Sequence, residues 1–241
     1  MTSYRTSHIG EKRGERYDAT HANKVDALIW DAFIKDFVSN RLQACAADGG
    51  TRYLDFACGT GRVLKVGSQH FDHCVGVDIS DDMLAVARER IPSAEFVCTD
   101  VTANQDAVPG EFDCVTLFRF LLNAEESLSL DILAWLAAHM RPGAILVGNV
   151  HMNTLSFRGL ATLVSNGLFG TSHNHLSRRK TTQMLENSGF RIQAWSGYRI
   201  LPTVMGKPIF GRKGQIVLEK FSRALGLGAL GSELVFVAER I

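Results

Sequence analysis

A glycine-rich turn within Tyr53–Arg62, which reads YLDFACGTGR, is the segment best suited to chemistry. Glycines at 59 and 61 let the backbone approach a ligand closely and adopt positive φ angles. The helix predicted to follow would present free N–H groups at its first turn. Asp78 ends the next predicted strand, about twenty residues beyond the first glycine, where a carboxylate suits the two hydroxyls of a ribose. This spacing indicates a ligand that contains a nucleoside.

Asp55, at the mouth of the turn, distinguishes between two classes of cofactor. A nicotinamide or flavin dinucleotide favours the full G-x-G-x-x-G pattern, but the third position here is Leu64. A dinucleotide would also place its pyrophosphate beside the Asp55 carboxylate. S-adenosylmethionine instead carries an ammonium and a sulfonium, which an acidic side chain attracts. The residues therefore favour S-adenosylmethionine.

Further polar residues follow the predicted fourth and fifth strands, where ligands of parallel α/β sheets bind. Arg119 and Asn123 follow the fourth strand and are predicted to contact the acceptor. His151 follows the fifth strand and is the first candidate for the general base that a hydroxyl acceptor usually needs. The alternatives for His151 are a ligand contact or a hydrogen-bonded loop residue.

Three more candidates lie outside this alternating region. Tyr17, on the arm before the first helix, is predicted to fold over the cofactor as a catalytic residue. His173 and His175 lie in an insertion and are predicted to border the acceptor pocket, with surface histidines as the alternative. Because no carboxylate accompanies them, no metal site is predicted.

Short apolar runs that alternate with helical patterns must position these residues. Strands are predicted at 52–57, 74–77, 95–98, 113–118, 144–150, 190–201 and 233–241. Helices are predicted at 22–47, 61–70, 80–90, 126–140, 177–188 and 215–225. A turn at Arg141–Gly143 is predicted to separate the 126–140 helix from the strand that follows. This alternation predicts βαβ units, and hence a parallel sheet covered on both faces.

Several segments in chain order resemble the motifs of the class I S-adenosylmethionine-dependent methyltransferases. The glycine turn resembles the first motif, and residues 75–80 resemble the acidic second motif. Residues 96–101 resemble the third motif, and residues 112–118 resemble the strand of the fourth. Residues 136–147 resemble the helix, Pro-Gly and strand that come next. The resemblance spans residues 51–150.

The resemblance implies a Rossmann-like α/β fold. Its mostly parallel sheet would have seven strands, the last one antiparallel and beside the sixth, with helices on both faces. A small helical cap is expected in addition. The implied cofactor is S-adenosylmethionine, with S-adenosylhomocysteine as product. The residues that the resemblance implies for cofactor binding are Asp55, Ala57, Gly59, Gly61, Asp78, Ile79, Met83, Asp100, Val101 and Phe118.

The whole chain, 1–241, is predicted to form a single methyltransferase domain. Its core is expected at about 51–150 and 177–241. The cap is expected from 1–48 and about 152–176, with a basic insertion at about 202–232.

Charge is distributed unevenly along the chain, although the formal net charge is only +1. Residues 53–150 carry 14 acidic and 6 basic side chains, whereas residues 151–232 carry 11 basic and 2 acidic ones. The basic region fits an anionic small molecule, or an anionic membrane contacted by the helix at about 215–225. A packed helix of the cap with solvated charges is the alternative. The overall charge argues against nucleic acid.

Composition favours a cytoplasmic globular protein. The five cysteines are odd in number and lack paired spacing, which is typical of reduced thiols. The first twenty residues contain no apolar core of a secretory signal, and no apolar run is long enough to span a membrane.

The predicted reaction is methyl transfer to a hydroxyl, or less readily an amine, of a sugar, a lipid-linked compound or another metabolite. An RNA methyltransferase and a cofactor-binding regulator without catalysis are the alternatives.

Overall fold

The computed structural model describes residues 25–151, 153–162, 176–204 and 207–241. Its strands are β1 (Arg52–Phe56), β2 (His73–Asp78), β3 (Glu95–Cys98), β4 (Phe112–Leu117), β5 (Met140–His151), β6 (Phe190–Tyr198), β7 (Thr203–Val204), β8 (Lys207–Pro208) and β9 (Glu233–Arg240). Its helices are α1 (Val25–Ile29), α2 (Lys35–Ala47), α3 (Leu64–Gly67), α4 (Asp81–Arg90), α5 (Glu126–Ala138), α6 (Arg178–Asn187) and α7 (Gly211–Ala224). Residues 157–162 are also helical.

Seven of these strands form one sheet in the order β3-β2-β1-β4-β5-β9-β6, and β7 pairs with β8 separately. Neighbours from β3 to β5 are parallel, whereas β9 runs antiparallel to both β5 and β6. The predicted fold class, with its inserted antiparallel strand, is therefore confirmed. In this arrangement β1 to β6 all end at the same edge of the sheet, which we call the carboxyl edge, and β9 begins there.

Apolar side chains alternate between the two faces of the sheet. In β1, Leu54 and Phe56 belong to a core cluster that includes residues of α5 and α6. Tyr53 points to the other face, where the cluster includes residues of α1, α2 and α3. Helices thus cover both faces, and the polar residues that follow the strands are left at the carboxyl edge.

The start of β5 differs from the prediction. The turn expected at Arg141–Gly143 is part of the strand, which begins at Met140. Met140 pairs with Phe112, and the register shifts before the next pair of β4 and β5. Gly143 has a φ of +83° within this irregular stretch. The Pro-Gly pair therefore lies within the irregular start of β5 and does not separate this strand from α5.

Three other elements differ from the prediction at positions where the local backbone departs from regular geometry. The helix predicted at 61–70 is reduced to α3, and the φ of +74° at Gly61 accounts for its later start. The strand predicted to reach residue 201 stops at Tyr198, because Arg199 has a φ of +59°. A π-helical turn at Trp30–Ile34 joins α1 to α2 within the helix predicted at 22–47.

Segments 1–24 and 163–175 lie outside the described residues, so the division into core and cap stays a prediction. Among the helices that are described, none combines the length and the apolar character needed to cross a bilayer.

Gly67 offers a test of this packing. A Cβ built at this position would lie 1.9 Å from Cε1 of Tyr53. The Tyr53 ring has little freedom to retreat, because it is fully buried, stacks on Phe71 and shares a hydrogen bond with Thr116. We expect Gly67→Ala to lower the free energy of unfolding by about 3 kcal/mol, measured by urea denaturation.

The matched control for this substitution is Gly228→Ala. A Cβ there would meet its nearest neighbour at an ordinary 3.6 Å, so its stability should stay within about 0.5 kcal/mol of wild type. Equal stability of the two variants would contradict the packing described for Tyr53.

Candidate functional site

A cavity of about 280 Å³ opens at the carboxyl edge, between the glycine turn and the ends of β4 and β5. It brings together nine residues predicted from the sequence for cofactor, acceptor or catalysis, namely Asp55, Ala57, Gly59, Asp78, Met83, Phe118, Arg119, Asn123 and His151. Tyr17, His173 and His175 lie outside the described residues.

The glycine turn follows β1 with a left-handed backbone. Ala57 and Gly59 have φ angles of 55° and 53°. A Cβ at Gly59 would meet nothing closer than 4.0 Å, so this backbone is open for a ligand to approach. Gly61 lines neither this cavity nor the smaller one beside it. A Cβ at Gly61 would press on Ala87 and Ile91 at 3.2 Å, so its place is in the packing of α4.

Asp78 fixes the shape of the turn. Its Oδ2 accepts the N–H of Gly59 at 2.8 Å, and its Oδ1 accepts the N–H of Ser80 at 2.9 Å. Ser80 is the residue before α4, so one carboxylate connects the turn to the start of the next helix. The Asp78 carboxylate also lines both the main cavity and the smaller one beside it.

Asp55 is a buried carboxyl group at the wall of the cavity. Its Oδ1 accepts a hydrogen bond of 2.7 Å from the hydroxyl of Thr116, to which the Tyr53 hydroxyl donates in turn. Its Oδ2 has no hydrogen-bond partner among the described residues. Burial raises the pKa of Asp55 to about 7, against the opposing effect of Thr116. A cationic donor in the cavity would satisfy the remaining oxygen.

A smaller cavity of about 30 Å³ adjoins the first and shares Ala57 and Asp78 with it. Its wall is mostly apolar and includes the predicted residues Ile79, Asp100 and Val101. Asp100 accepts hydrogen bonds from the backbone and hydroxyl of Thr102 through Oδ1. The site therefore has a polar compartment and a narrow apolar slot on either side of Asp78.

An ion-pair network that the sequence did not reveal borders the main cavity. Asp26 of α1 contacts Arg119, which follows β4, at 3.3 Å, and it also pairs with Arg199, which follows β6. Burial alone would raise the pKa of Asp26, but Arg199 and Arg119 outweigh it and hold the pKa below its usual range. Residues 173 positions apart meet here, which no local pattern could indicate.

His151 lies in this basic environment. Burial lowers its pKa to about 3, and the charge of Arg119 adds to the effect. Its Nδ1 is buried without a hydrogen-bond partner in the described part of the chain. The imidazole is therefore neutral at pH 7. A group with this pKa is a weak proton acceptor, so the base role of His151 stays a prediction.

Asn149 and Glu233 hold the loop after β4. Asn149 accepts the N–H of Arg119 at 2.6 Å and donates to Glu233 at 2.7 Å. Arg119 has a φ of +58°, an uncommon conformation for a residue with a side chain. Glu233 was not predicted; it lines the cavity because the antiparallel β9 begins at the carboxyl edge.

Asp26→Asn tests the network, because it keeps the side-chain shape but removes the charge between two guanidinium groups. We expect a loss of about 3 kcal/mol in the free energy of unfolding at neutral pH. Since the folded pKa of Asp26 lies below its ordinary value of 3.8, its contribution is present above pH 3.8 and is lost as the pH falls through the folded pKa.

The difference between variant and wild type should accordingly shrink in acid, as measured by urea denaturation at several pH values. Asp36→Asn, at an exposed position on α2, is the control and should leave the free energy of unfolding unchanged. A pH-independent difference would contradict the assignment.

Comparison with known proteins agrees with this geometry. A methyltransferase-domain family matches residues 54–143. A putative methyltransferase of Geobacillus sp. (strain WCH70) is 30% identical over 127 residues, 51% of each chain. The dTDP-3-amino-3,4,6-trideoxy-alpha-D-glucopyranose N,N-dimethyltransferase of Streptomyces venezuelae is 32% identical over 141 residues, 54% of this chain and 57% of that one. The matches thus span about half the length of these relatives.

Among solved structures, the SAM-bound amino pentose methyltransferase CalS10 of Micromonospora echinaspora superposes with a TM-score of 0.63. It shares 18% sequence identity, and the match covers 94% of this chain and 97% of that one. At this identity the likeness concerns the fold. The resemblance drawn from the motifs is confirmed to this extent: residues 54–143 match the methyltransferase-domain family, and the sheet shares its fold with this solved methyltransferase.

Proposed function

We propose that this protein transfers a methyl group from S-adenosylmethionine to a small-molecule acceptor. The observation that carries the proposal is the buried Asp55 Oδ2, which lacks a partner among the described residues beside an open glycine backbone. S-adenosylmethionine fits such a wall because it brings an ammonium group that can donate to this oxygen. A pyrophosphate would bring negative charge to the same place.

The proposed cofactor contacts follow from the two compartments. Asp55 and the backbone of Ala57 and Gly59 would hold the methionine part. Asp78 would accept from the ribose hydroxyls, since its carboxylate lines both cavities at the end of β2.

The apolar slot would take the adenine. The residues proposed for adenine contact are Ile79, Asp100 and Val101 of the slot and Met83 of the adjoining main cavity, and Phe118 would close the site. Gly61 would contribute through the packing of α4.

The acceptor is proposed to occupy the part of the cavity near Arg119, Asn123 and His151. When bound, S-adenosylmethionine supplies a methyl carbon activated by its sulfonium. The chain's part is to align the acceptor and exclude water. His151 would form a hydrogen bond to the acceptor through its unpaired Nδ1.

An acceptor that carries an anionic group suits this compartment. Arg119, Arg158 and Arg199 all lower the pKa of His151 through their charge, although burial is the larger cause. Within the described residues, no hydrogen bond or ion pair holds the guanidinium of Arg158, whose side chain is exposed. A negative group beside these arginines would offset their effect and raise the pKa of His151 toward the range useful for a base.

A small molecule is favoured over RNA because many basic side chains of residues 151–232 are already engaged. Lys180 contacts Glu126 at 2.5 Å, and Arg191 contacts Glu239 at 2.9 Å. Arg178 lies over the ring of Trp195. These contacts leave less free positive charge for a phosphate backbone. A sugar, a lipid-linked compound or another metabolite with a reactive hydroxyl is the proposed acceptor class, in a cytoplasmic setting.

The proposal is tested by incubating the protein with S-adenosylmethionine labelled in its methyl group and fractionated cell extract. We expect label to appear in small molecules or lipids. Label in RNA would identify the RNA methyltransferase alternative. Tight binding of S-adenosylhomocysteine without transfer to any fraction would identify a cofactor-binding regulator.

The pKa of Asp55 predicts how binding depends on pH. An ammonium favours the carboxylate form, so below about pH 7 the carboxyl group must release a proton before it can bind. We expect the affinity for S-adenosylhomocysteine to rise about tenfold from about pH 6 to about pH 8, measured by calorimetry. Asp55→Asn should weaken binding and remove this rise.

Asp72→Asn, at an exposed position before β2, is the matched control and should keep both affinity and pH dependence. Wild-type affinity that is constant over the same range would contradict the proposed contact of Asp55 with the amino group.

A further inference from the structure

Helix α7 buries polar side chains and exposes a stripe of apolar ones. Its inward residues Gln215 and Glu219 are fully buried, whereas Val217, Phe221 and Leu225, which follows the helix, are 60–64% exposed. These three apolar residues recur every four positions and so lie along one stripe. A helix at the surface of a globular protein ordinarily turns such a stripe toward the core. The exposed stripe of α7 therefore needs an explanation other than core packing.

Polar contacts on the inner side fix this orientation. Both carboxylate oxygens of Glu219 lie 3.1 Å from the N–H of Ile200, in the turn that follows β6. The guanidinium of Arg223 lies over the ring of Tyr198 at 4.3 Å. Rotating α7 to bury its stripe would break these contacts and leave the N–H of Ile200 without its partner Glu219. The contacts of Glu219 and Arg223 therefore hold Phe221 on the outer side of the helix.

Other exposed apolar side chains surround the same edge of the sheet. Of the twelve large apolar side chains exposed among the described residues, ten lie between 155 and 230. They include Leu155 and Phe157, which follow β5, and Phe210, which precedes α7. Because β5 and β6 both end at the carboxyl edge, these segments project from the edge where the cavity opens. A concentration of this kind marks an interaction surface.

The exposed charges of α7 identify the kind of partner. Arg212, Lys213 and Lys220 are exposed, while the helix's acidic residue, Glu219, is buried. The outer surface of α7 therefore combines apolar and cationic groups. An anionic lipid surface complements both, since acyl chains accept the apolar groups and phosphates attract the lysines. A second copy of the same surface would bring like charges together.

We infer that α7 docks on an anionic membrane surface. Val217, Phe221 and Leu225 enter the boundary between headgroups and acyl chains, and Lys213 and Lys220 contact lipid phosphates. The docking depends on α7 and not on the proposed function. Docking at this edge also brings the cavity toward lipid-borne acceptors, and this last step rests on the proposed function.

The test is co-sedimentation of the full chain with two kinds of vesicle, phosphatidylcholine alone and phosphatidylcholine with phosphatidylglycerol. We expect binding to the anionic vesicles that weakens as salt is added. The double variant Val217→Ser/Phe221→Ser should bind at least roughly tenfold more weakly, because it removes apolar area that would be buried in the membrane. Lys213→Gln/Lys220→Gln should weaken binding roughly 30-fold.

Matched controls remove the same kinds of group elsewhere. Ile241→Ser takes away an exposed apolar side chain at the opposite edge, and Lys65→Gln removes an exposed lysine of α3. Both should bind vesicles like wild type. Calorimetry with S-adenosylhomocysteine should give the same affinity in every variant, which separates a loss of docking from a loss of folding or of cofactor binding.

Three results would overturn the inference. The wild type fails to bind anionic vesicles, or the Val217→Ser/Phe221→Ser variant binds them as well as wild type. The third is a wild-type dimer in analytical ultracentrifugation that this variant dissociates, which would assign the surface to a second copy.

Discussion

The site depends on one carboxylate that holds two backbone segments together. Asp78 accepts the N–H groups of Gly59 and Ser80, and so fixes a turn in which Ala57 adopts a left-handed conformation that costs about 1–2 kcal/mol. These groups meet because β1 and β2 pair in parallel and end side by side. The open backbone of the turn, the position of Asp55 behind it and the apolar slot beside Asp78 all follow from this pairing.

The pKa values of two titratable groups in the main cavity are shifted in opposite directions for the same reason. Burial raises the pKa of Asp55 to about 7 and lowers the pKa of His151 to about 3, because low polarity disfavours the charged form of either group. The cavity therefore favours a cation at the Asp55 end. At the other end Arg119 favours an anion. This polarity supports the proposal that the cofactor's amino group lies at the first end and an acceptor with a negative group at the second.

The division of the chain into an acidic and a basic part has several structural outcomes. Lys180 returns to Glu126, so some of the basic charge neutralises the acidic part directly. Arg199 reaches Asp26 at the border of the cavity. Lys213 and Lys220 stay exposed on α7 beside its apolar stripe. The net charge of a segment therefore does not distinguish basic side chains that form ion pairs, those that border the cavity and those that stay exposed. Only the folded structure distinguishes them.

Local pattern determined the alternation of strands and helices, the glycine turn and Asp78, because these depend on neighbouring residues and on the regular periods of helix and strand. It failed where a distant partner decides the outcome. Met140 joins β5 by pairing with Phe112, although the Pro-Gly that follows indicates a turn. Asp26 and Glu233 reach the cavity only through the packing of α1 and the antiparallel insertion of β9. Sequence by itself therefore determined which residues follow the strands at the proposed cofactor and acceptor sites, whereas tertiary structure decided the charges around the proposed acceptor site, since Asp26, Arg199 and Glu233 come from segments that only the folded sheet brings to one edge.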